Sequence, residues 1–357
     1  MKNCCHYEKL VDWLQQQALP AVLITDRIHV RYFSGFAGSA GVLVVSPTAR
    51  KLFVDFRYVE QARQTAPEFE TVKCQTNPLD AAVEYLQKQD LTRIGFETDS
   101  LTVAEFRRIT ARIAENFWTP VGLDSLRTVK TAAEIAKIEA AARILDQAFA
   151  RILPLIRPGI AEQSLAASLE YEMRQLGSER TGFATIVASG PRAALPHGLA
   201  SERRLASGDL VVFDFGAVFE GYHSDMTRTV CLGAASPKQR QIYDTVLSAQ
   251  LAGLSAVRPG ALCREVDRAA RKIIENAGYG EFFGHGLGHS VGLAIHETPR
   301  LSPLAGEARL ETGMVVTVEP GIYLPEWGGV RIEDLVVVTA DGCRILSHTT
   351  KQLLELT

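Results

Sequence analysis

Short apolar runs alternate with amphipathic stretches through the first third of the chain. Ala21-Val22-Leu23-Ile24-Thr25 predicts a strand. Residues 41–45 and 51–55 predict two more, joined as a hairpin across Ser46-Pro47-Thr48. Helical spacing predicts helices over 7–17, from Tyr58, over 79–87 and over 103–116, with strands at 70–73 and 93–96. Such alternation implies helices packed on a sheet, an α/β layer.

The pattern changes after residue 121. Residues 121–130 read as a hinge, giving two domains, 1–125 and 126–357. Thr131-Ala132-Ala133-Glu134 has the spacing of a capping box and opens a long helix with Ile135, Ile138, Ala142 and Leu145 on its apolar side. That helix stops before Arg157-Pro158-Gly159, and a second is predicted over 162–176. Arg157-Pro158-Gly159-Ile160 recurs as Arg258-Pro259-Gly260-Ala261 about a hundred residues on, each time between two helices. We read this as an internal duplication.

Composition narrows the function classes. Of 357 residues, 46% are hydrophobic and 22% charged, and the net charge is −3, which gives no electrostatic case for nucleic acid or an anionic membrane. Residues 1–9 lack the apolar stretch of a signal peptide, and no run reaches the ~18 apolar residues of a membrane span. Six cysteines are scattered without CxxC spacing, which argues against a disulfide framework or a thiolate zinc site. A reduced, cytoplasmic protein is expected.

Chemistry gathers on five residues: Asp214, Asp225, His289, Glu319 and Glu333. Asp214 sits inside Leu210-Val211-Val212-Phe213-Asp214-Phe215-Gly216, Glu319 ends Met314-Val315-Val316-Thr317-Val318-Glu319, and Glu333 opens into Asp334-Leu335-Val336-Val337-Val338. One such acid alone is more often a solvated turn residue. Four, with a histidine in a Gly-rich loop, point to metal, because an ionised carboxylate in an apolar core is very costly unless paired or bound to a cation. Gly221 and Tyr222 suit a turn, so Asp214 and Asp225 can lie on neighbouring strands of a hairpin. Strand alternation puts Asp225 and Thr227 on one face, and Arg331 with Glu333 on one face with Asp334 opposite. Four carboxylates match two divalent cations in charge, favouring a dinuclear site that shares a hydroxide at neutral pH. Oxygen-rich ligands with one imidazole suit Mn2+ and leave Co2+, Zn2+ and Fe open.

Here the sequence resembles a known family. Gly284-His285-Gly286-Leu287-Gly288-His289, Ile295-His296-Glu297, Val318-Glu319-Pro320-Gly321-Ile322-Tyr323 and Gly329-Val330-Arg331-Ile332-Glu333-Asp334 resemble the proline-peptidase branch of metallopeptidase family M24. Asp214-Phe215-Gly216, Ser224-Asp225-Met226-Thr227-Arg228-Thr229, Ile186-Val187-Ala188-Ser189-Gly190 and Pro196-His197-Gly198 complete the pattern. The resemblance implies a creatinase/prolidase-type N-terminal α/β domain followed by a duplicated, "pita-bread" catalytic domain (α/β, α+β). It implies that Asp225 and Glu333 bridge two metals, that Asp214 chelates one, and that His289 and Glu319 bind the other. Glu319 would also shuttle the proton. His197 would contact substrate or transition state, His296 would bind substrate or stabilise the tetrahedral oxyanion, and His285 would line a proline pocket. Arg331 would support a metal ligand or meet a substrate carboxylate. Tyr323 stays open between site and core. His6, His29, His223 and His348 are given no functional role.

The implied activity is that of an Xaa-Pro aminopeptidase, with Xaa-Pro dipeptidase (prolidase), or an aminopeptidase acting on N-terminal Met, as alternatives. The implied partners are short peptides with a free N-terminus and proline second, and a second copy of the chain in a homodimer. Methionine aminopeptidases usually lack the N-terminal domain and an equivalent of His285. Creatinase-like amidinohydrolases work without metal, and non-catalytic pita-bread modules tend to lose ligands. This chain keeps all five ligand types.

Overall fold

The computed structural model describes residues 4–357, with side chains from residue 6 on. The reading of residues 1–9 falls partly on residues 1–3, which lie outside the described residues. The chain divides into two compact units, Met1–Arg127 and Thr128–Thr357.

The first unit runs α1 (Cys4–Gln16), β1 (Val22–Ile24), α2 (Arg27–Ser34), β2 (Val42–Ser46), β3 (Ala49–Val54), α3 (Val59–Thr65), β4 (Glu70–Lys73), α4 (Pro78–Gln87), β5 (Ile94–Glu97), α5 (Val103–Thr110) and β6 (Trp118–Val121). One six-stranded sheet has the order β4-β3-β2-β1-β5-β6. Strands β2 and β3 form the expected hairpin, with Ser46 paired to Ala49 so that Pro47-Thr48 alone make the turn.

Two departures from the sequence reading have different causes, one local and one tertiary. α2 is not among the expected helices, yet its ends are specified. Asp26 Oδ1 accepts from the backbone N–H groups of Ile28 and His29, and Gly35 closes the helix at φ 84°. α5 ends at Thr110, not near residue 116, and a 3-10 turn over Glu115–Phe117 comes after it. Ile109 is buried and Ile113 packs on the same core, so the apolar spacing imitates another helical turn. The chain must instead leave the helix to place β6 parallel to β5, with Ile94 opposite Trp118.

The second unit is built twice from one plan. Its first half holds α6 (Ala132–Ile152), α7 (Glu162–Gln175), β7 (Ile186–Ser189), β8 (Leu210–Phe215), β9 (Val218–Phe219), β10 (Tyr222–His223) and β11 (Met226–Leu232). Its second half holds α8 (Pro237–Ala256), α9 (Cys263–Asn276), β12 (Gly288–Ser290), β13 (Glu297–Leu301), β14 (Val315–Val318), β15 (Gly321–Leu324), β16 (Gly328–Arg331) and β17 (Asp334–Val338). Strands β18 (Cys343–Ile345) and β19 (Leu354–Leu356) extend the two sheets, ordered β19-β11-β8-β7 and β13-β12-β14-β17-β18. In each half an outer antiparallel pair, β8/β11 or β14/β17, encloses a smaller hairpin, β9/β10 or β15/β16. The capping box of Thr131 and Glu134 is present, and Ile138, Ala142 and Leu145 are buried beneath α6, with Ile135 only half-buried.

The repeated Arg-Pro-Gly turns share their hydrogen bonds as well as their letters. Gly159 N–H donates to Leu205 O and Gly260 N–H to Leu310 O, both at 2.8 Å. Arg204 donates to Gly159 O and Arg309 to Gly260 O, again both at 2.8 Å. The glycines take φ 89° and 77°, with open space where a Cβ would stand. Alanine at either turn therefore meets no clash but must adopt a left-handed backbone. Gly159→Ala and Gly260→Ala should each lower unfolding free energy by about 1–2 kcal/mol in urea titrations. Unchanged midpoints would mean that the turns relax at no cost.

Candidate metal centre

Each half of the duplicated unit supplies two carboxylates at the same two places. Asp214 lies on β8 and Asp225 immediately precedes β11, on either side of the inner hairpin β9/β10. Glu319 immediately follows β14 and Glu333 immediately precedes β17, on either side of β15/β16. Asp214 lies opposite Thr227 in the β8/β11 pair.

The side chains converge. Asp214, Asp225 and Glu333 place one oxygen each within 4.8 Å of one another. His289 Nε2 stands 3.6 Å from Asp225 Oδ2 and 3.3 Å from Glu319 Oε1. All five line one cavity of about 1360 Å³, together with His197, His285, His296 and Arg331. Tyr323 is not among the lining residues but meets two of them: its hydroxyl is 2.9 Å from His285 Nε2 and accepts from Arg331 at 2.8 Å.

Hydrogen bonds around the acids fix their orientation. Thr227 Oγ1 donates to Glu333 Oε2 at 2.7 Å and accepts from Arg331 Nε at 3.1 Å. Arg331 also donates to Asp214 Oδ2 at 2.6 Å. Thr317 Oγ1 donates to Glu319 Oε1 and accepts from the His289 N–H, both at 3.0 Å. Asp334 faces away, as strand alternation requires, and is bound by Arg228, Gln250 and Lys351. Gly288 admits this arrangement, because a Cβ there would lie 2.1 Å from Thr317 O. A larger residue would push the strand carrying His289 away from Thr317.

The polarity of the site matches cations. His289 Nδ1 faces the carbonyl of Ser290 at 3.1 Å, so Nδ1 carries the proton and the Nε2 lone pair faces the acids. Burial, then the field of His296, pull His289 down to about 4, so its imidazole is neutral at pH 7. Burial, then the neighbouring acids, raise Asp225 and Glu333 well above the usual carboxylate range, and burial carries Glu319 up to about 7. Asp225 Oδ1 and Glu333 Oε1 are buried without a hydrogen-bond partner. Acceptors therefore face acceptors, and positive charge must lie among them, as protons or as metal. The donor set, four carboxylates and one neutral imidazole, fits divalent cations.

The histidines expected near substrate also gather here. The rings of His289 and His296 are 4.4 Å apart, edge to face. His285 uses both nitrogens, Nδ1–H toward Gly286 O at 2.8 Å and Nε2 toward the Tyr323 hydroxyl. Burial holds His285 down to about 4, in its neutral form. Of the remaining histidines, His223 is tied to Gly292 O, and His6 stacks on Tyr32. Arg300 is absent from the sequence reading. It lines the cavity and pairs directly opposite His289 across β12/β13, and its charge helps lower His296 after burial does. The signal for it is the alternation His296-x-Thr298-x-Arg300, which puts all three on one face of a strand.

Comparisons with known proteins place the chain among relatives. The profile of metallopeptidase family M24 matches residues 136–340, and that of the creatinase/prolidase N-terminal domain matches residues 7–129. An Xaa-Pro dipeptidase of Pyrococcus furiosus is 40% identical, over 97% of this chain and 99% of the relative. The solved structure of an Xaa-Pro dipeptidase from Bacillus anthracis superposes with a TM-score of 0.95 at 41% identity, covering 98% of this chain and 99% of that one. An X-Pro aminopeptidase structure from Thermotoga maritima gives a TM-score of 0.91 at 37% identity, with the same coverage of both chains. Among the described residues no helix is long and apolar enough to cross a membrane.

The charge state of the acids can be tested on the purified protein. Glu319 is held near 7 in the metal-free fold against an ordinary 4.5, so the folded state binds more protons than the unfolded state between those values. Its contribution to stability is thus greatest at low pH and is lost as pH rises through about 7. The metal-free protein should gain thermal stability from about pH 7.5 to about pH 5.5, and the metal-loaded protein should lose it, because protons compete with cations. Parallel melting curves for both forms would refute this. Asp214→Asn should lower metal content, measured by elemental analysis after dialysis, and activity with it.

Proposed function

The chain belongs to metallopeptidase family M24, and from that premise we propose that it is an Xaa-Pro dipeptidase that hydrolyses dipeptides with proline at the C-terminal position. The supporting observation is Arg300. It is a cation on the cavity wall, opposite the metal-facing His289. In a dipeptide the free carboxylate lies one residue from the scissile carbonyl, and a guanidinium beside the reacting centre is placed to take it. The names of the relatives in Pyrococcus furiosus and Bacillus anthracis favour the same choice. This shifts the reading from the aminopeptidase expected from sequence to its dipeptidase alternative.

Asp214, Asp225, His289, Glu319 and Glu333 would hold two divalent cations, with Mn2+ favoured by the oxygen-rich donor set. When bound, these supply Lewis acidity that makes a water nucleophilic and polarises the scissile carbonyl. Glu319 would accept a proton at Oε2 and deliver it to the proline nitrogen, which has no N–H in the peptide bond and departs as a secondary amine carrying that proton. His296, neutral at pH 7 and beside His289, donates to the carbonyl oxygen as it gains charge. His197 lines the same cavity from the other half and would act on the same oxygen.

His285 has neither nitrogen to spare, so it offers its ring edge as an apolar wall for pyrrolidine. Arg331 is a positioning residue: its donors go to Asp214, Thr227, Tyr323 and Pro196 O, leaving Arg300 as the carboxylate contact. Tyr323 belongs to this array and not to plain core.

The deciding assay offers metal-replete protein Ala-Pro, Ala-Pro-Ala and Met-Ala. Cleavage should be confined largely to Ala-Pro. Turnover of the tripeptide alone would restore the aminopeptidase, and turnover of Met-Ala alone would end the proline reading. Arg300→Met should raise KM for Ala-Pro about ten- to hundredfold, the worth of a hydrogen bond to a charged group, and leave KM for Ala-Pro amide unchanged. His296→Ala should lower kcat and spare metal content.

A further inference from the structure

Glu297 belongs to the Ile295-His296-Glu297 motif, yet it points away from the cavity that His296 lines. Its partner is Lys130, from the segment that precedes α6. The two side chains are 2% and 1% exposed, with Lys130 Nζ 3.1 Å from Glu297 Oε2. The same ammonium donates to Ser290 Oγ at 2.9 Å and to Thr128 O at 3.0 Å. It thus joins the residue after His289 to the residue after His296.

The pair sits where the β12/β13 ladder is irregular. Between β12 and β13, His289 pairs with Arg300 but Ser290 pairs with Glu297, so the register slips and the ladder lapses beside the histidines. The turn from Val291 to Ile295 keeps two backbone hydrogen bonds, Val291 N–H to Val315 O and Gly292 N–H to Ala294 O, and side chains add to them. Glu297 Oε1 accepts from the Ala294 N–H at 3.0 Å. The Glu297 carboxylate also lies against Gly292, where a Cβ would come within 2.6 Å of both its oxygens. Gly292 O in turn accepts from the His223 N–H at 2.8 Å, two residues before Asp225. The turn carrying His296 is therefore clamped from beneath by Glu297 and Lys130, and on its far side by the strand entry that bears Asp225.

A buried ion pair adds little net stability, because desolvation offsets most of the attraction. What it supplies is direction. Lys130 offers three donors in fixed geometry, and its stem, entering from outside both strands, cannot slide with either.

We propose that the Lys130–Glu297 pair is a positioning device for His296, holding the Val291–Ile295 turn so that the imidazole meets the reacting carbonyl, without itself touching metal or substrate. This rests on the reading of His296 given above. Removing the pair should displace His296 and slow the chemical step, with substrate capture by Arg300 and the metal ligands left in place.

The test is a cycle with full-length, Mn2+-loaded protein and Ala-Pro. Lys130→Met and Glu297→Gln are made together, so that no lone charge is left buried, in the parent and in His296→Ala. In the parent the pair of changes should lower kcat about tenfold, with KM and metal content unchanged. In His296→Ala the same changes should cost less than about twofold, because the group they position is already gone. An equal loss in both backgrounds, or a loss tracked by metal content, would overturn the proposal and leave the pair a scaffold element. If His296→Ala alone did not slow turnover, the reading of His296 would fall and this inference with it. Should the double change fail to fold, Glu297→Asp, which shortens the clamp and keeps both charges, is carried through the same cycle with the same expectation.

Discussion

Mutual repulsion among buried acceptors governs this protein. Asp225 and Glu333 are almost wholly removed from solvent, each with one oxygen unpaired, and the lone pair of His289 faces Asp225 and Glu319. Among the described residues only Arg331 is a cation hydrogen-bonded to a side-chain carboxylate of these acids, and it reaches only Asp214. Neutral hydroxyls from Thr227 and Thr317 orient Glu333 and Glu319 without cancelling charge. Such a cluster is held together by the rest of the fold until cations relieve it. The sheets, the close approach at Gly288 and the packed helices behind them supply that restraint.

Much of this is legible in the chain because local rules carry it. The capping box at Thr131 and the paired Arg-Pro-Gly turns depend on neighbours in sequence and can be read directly. So can the placement of Asp214 on a strand beside the one that Asp225 leads into, since a turn between two short apolar runs needs no distant partner. The end of α5 is misleading in sequence because Ile113 keeps the helical spacing for tertiary reasons. Arg300 and Lys130 are hidden for another reason. Their importance comes from groups across a strand pair or beneath a turn, and neither neighbour is close in sequence.

The centre also separates two questions that share one site. Peptide hydrolysis needs the carboxylates and the imidazole, which would serve a dipeptidase or an aminopeptidase equally. The difference between them is a difference of affinity for the group on the C-terminal side of proline. On the proposed reading a carboxylate there would meet Arg300, whereas a further peptide bond would leave the guanidinium unpaired. On that reading, substrate class turns on one cation outside the metal centre.

The duplication explains where that cation comes from. Both halves give two carboxylates around an inner hairpin, and both place a histidine after the first strand of their sheet, His197 after β7 and His296 after β12. There the symmetry ends. In the first half the chain beyond β7 forms a 3-10 turn over Gly190–Ala194 and rejoins the sheet by the single bridge of Ile186 with Leu199. In the second half it becomes β13, a paired strand whose outward face presents Thr298 and Arg300 to the cavity. The four acids therefore come from what the two halves share, whereas His289 and, on the proposed reading, the carboxylate contact Arg300 come from the strand pair that only the second half has. The register between β12 and β13 slips beside His289, and the buried Lys130 donates to Ser290 and Glu297 on the two strands at that point.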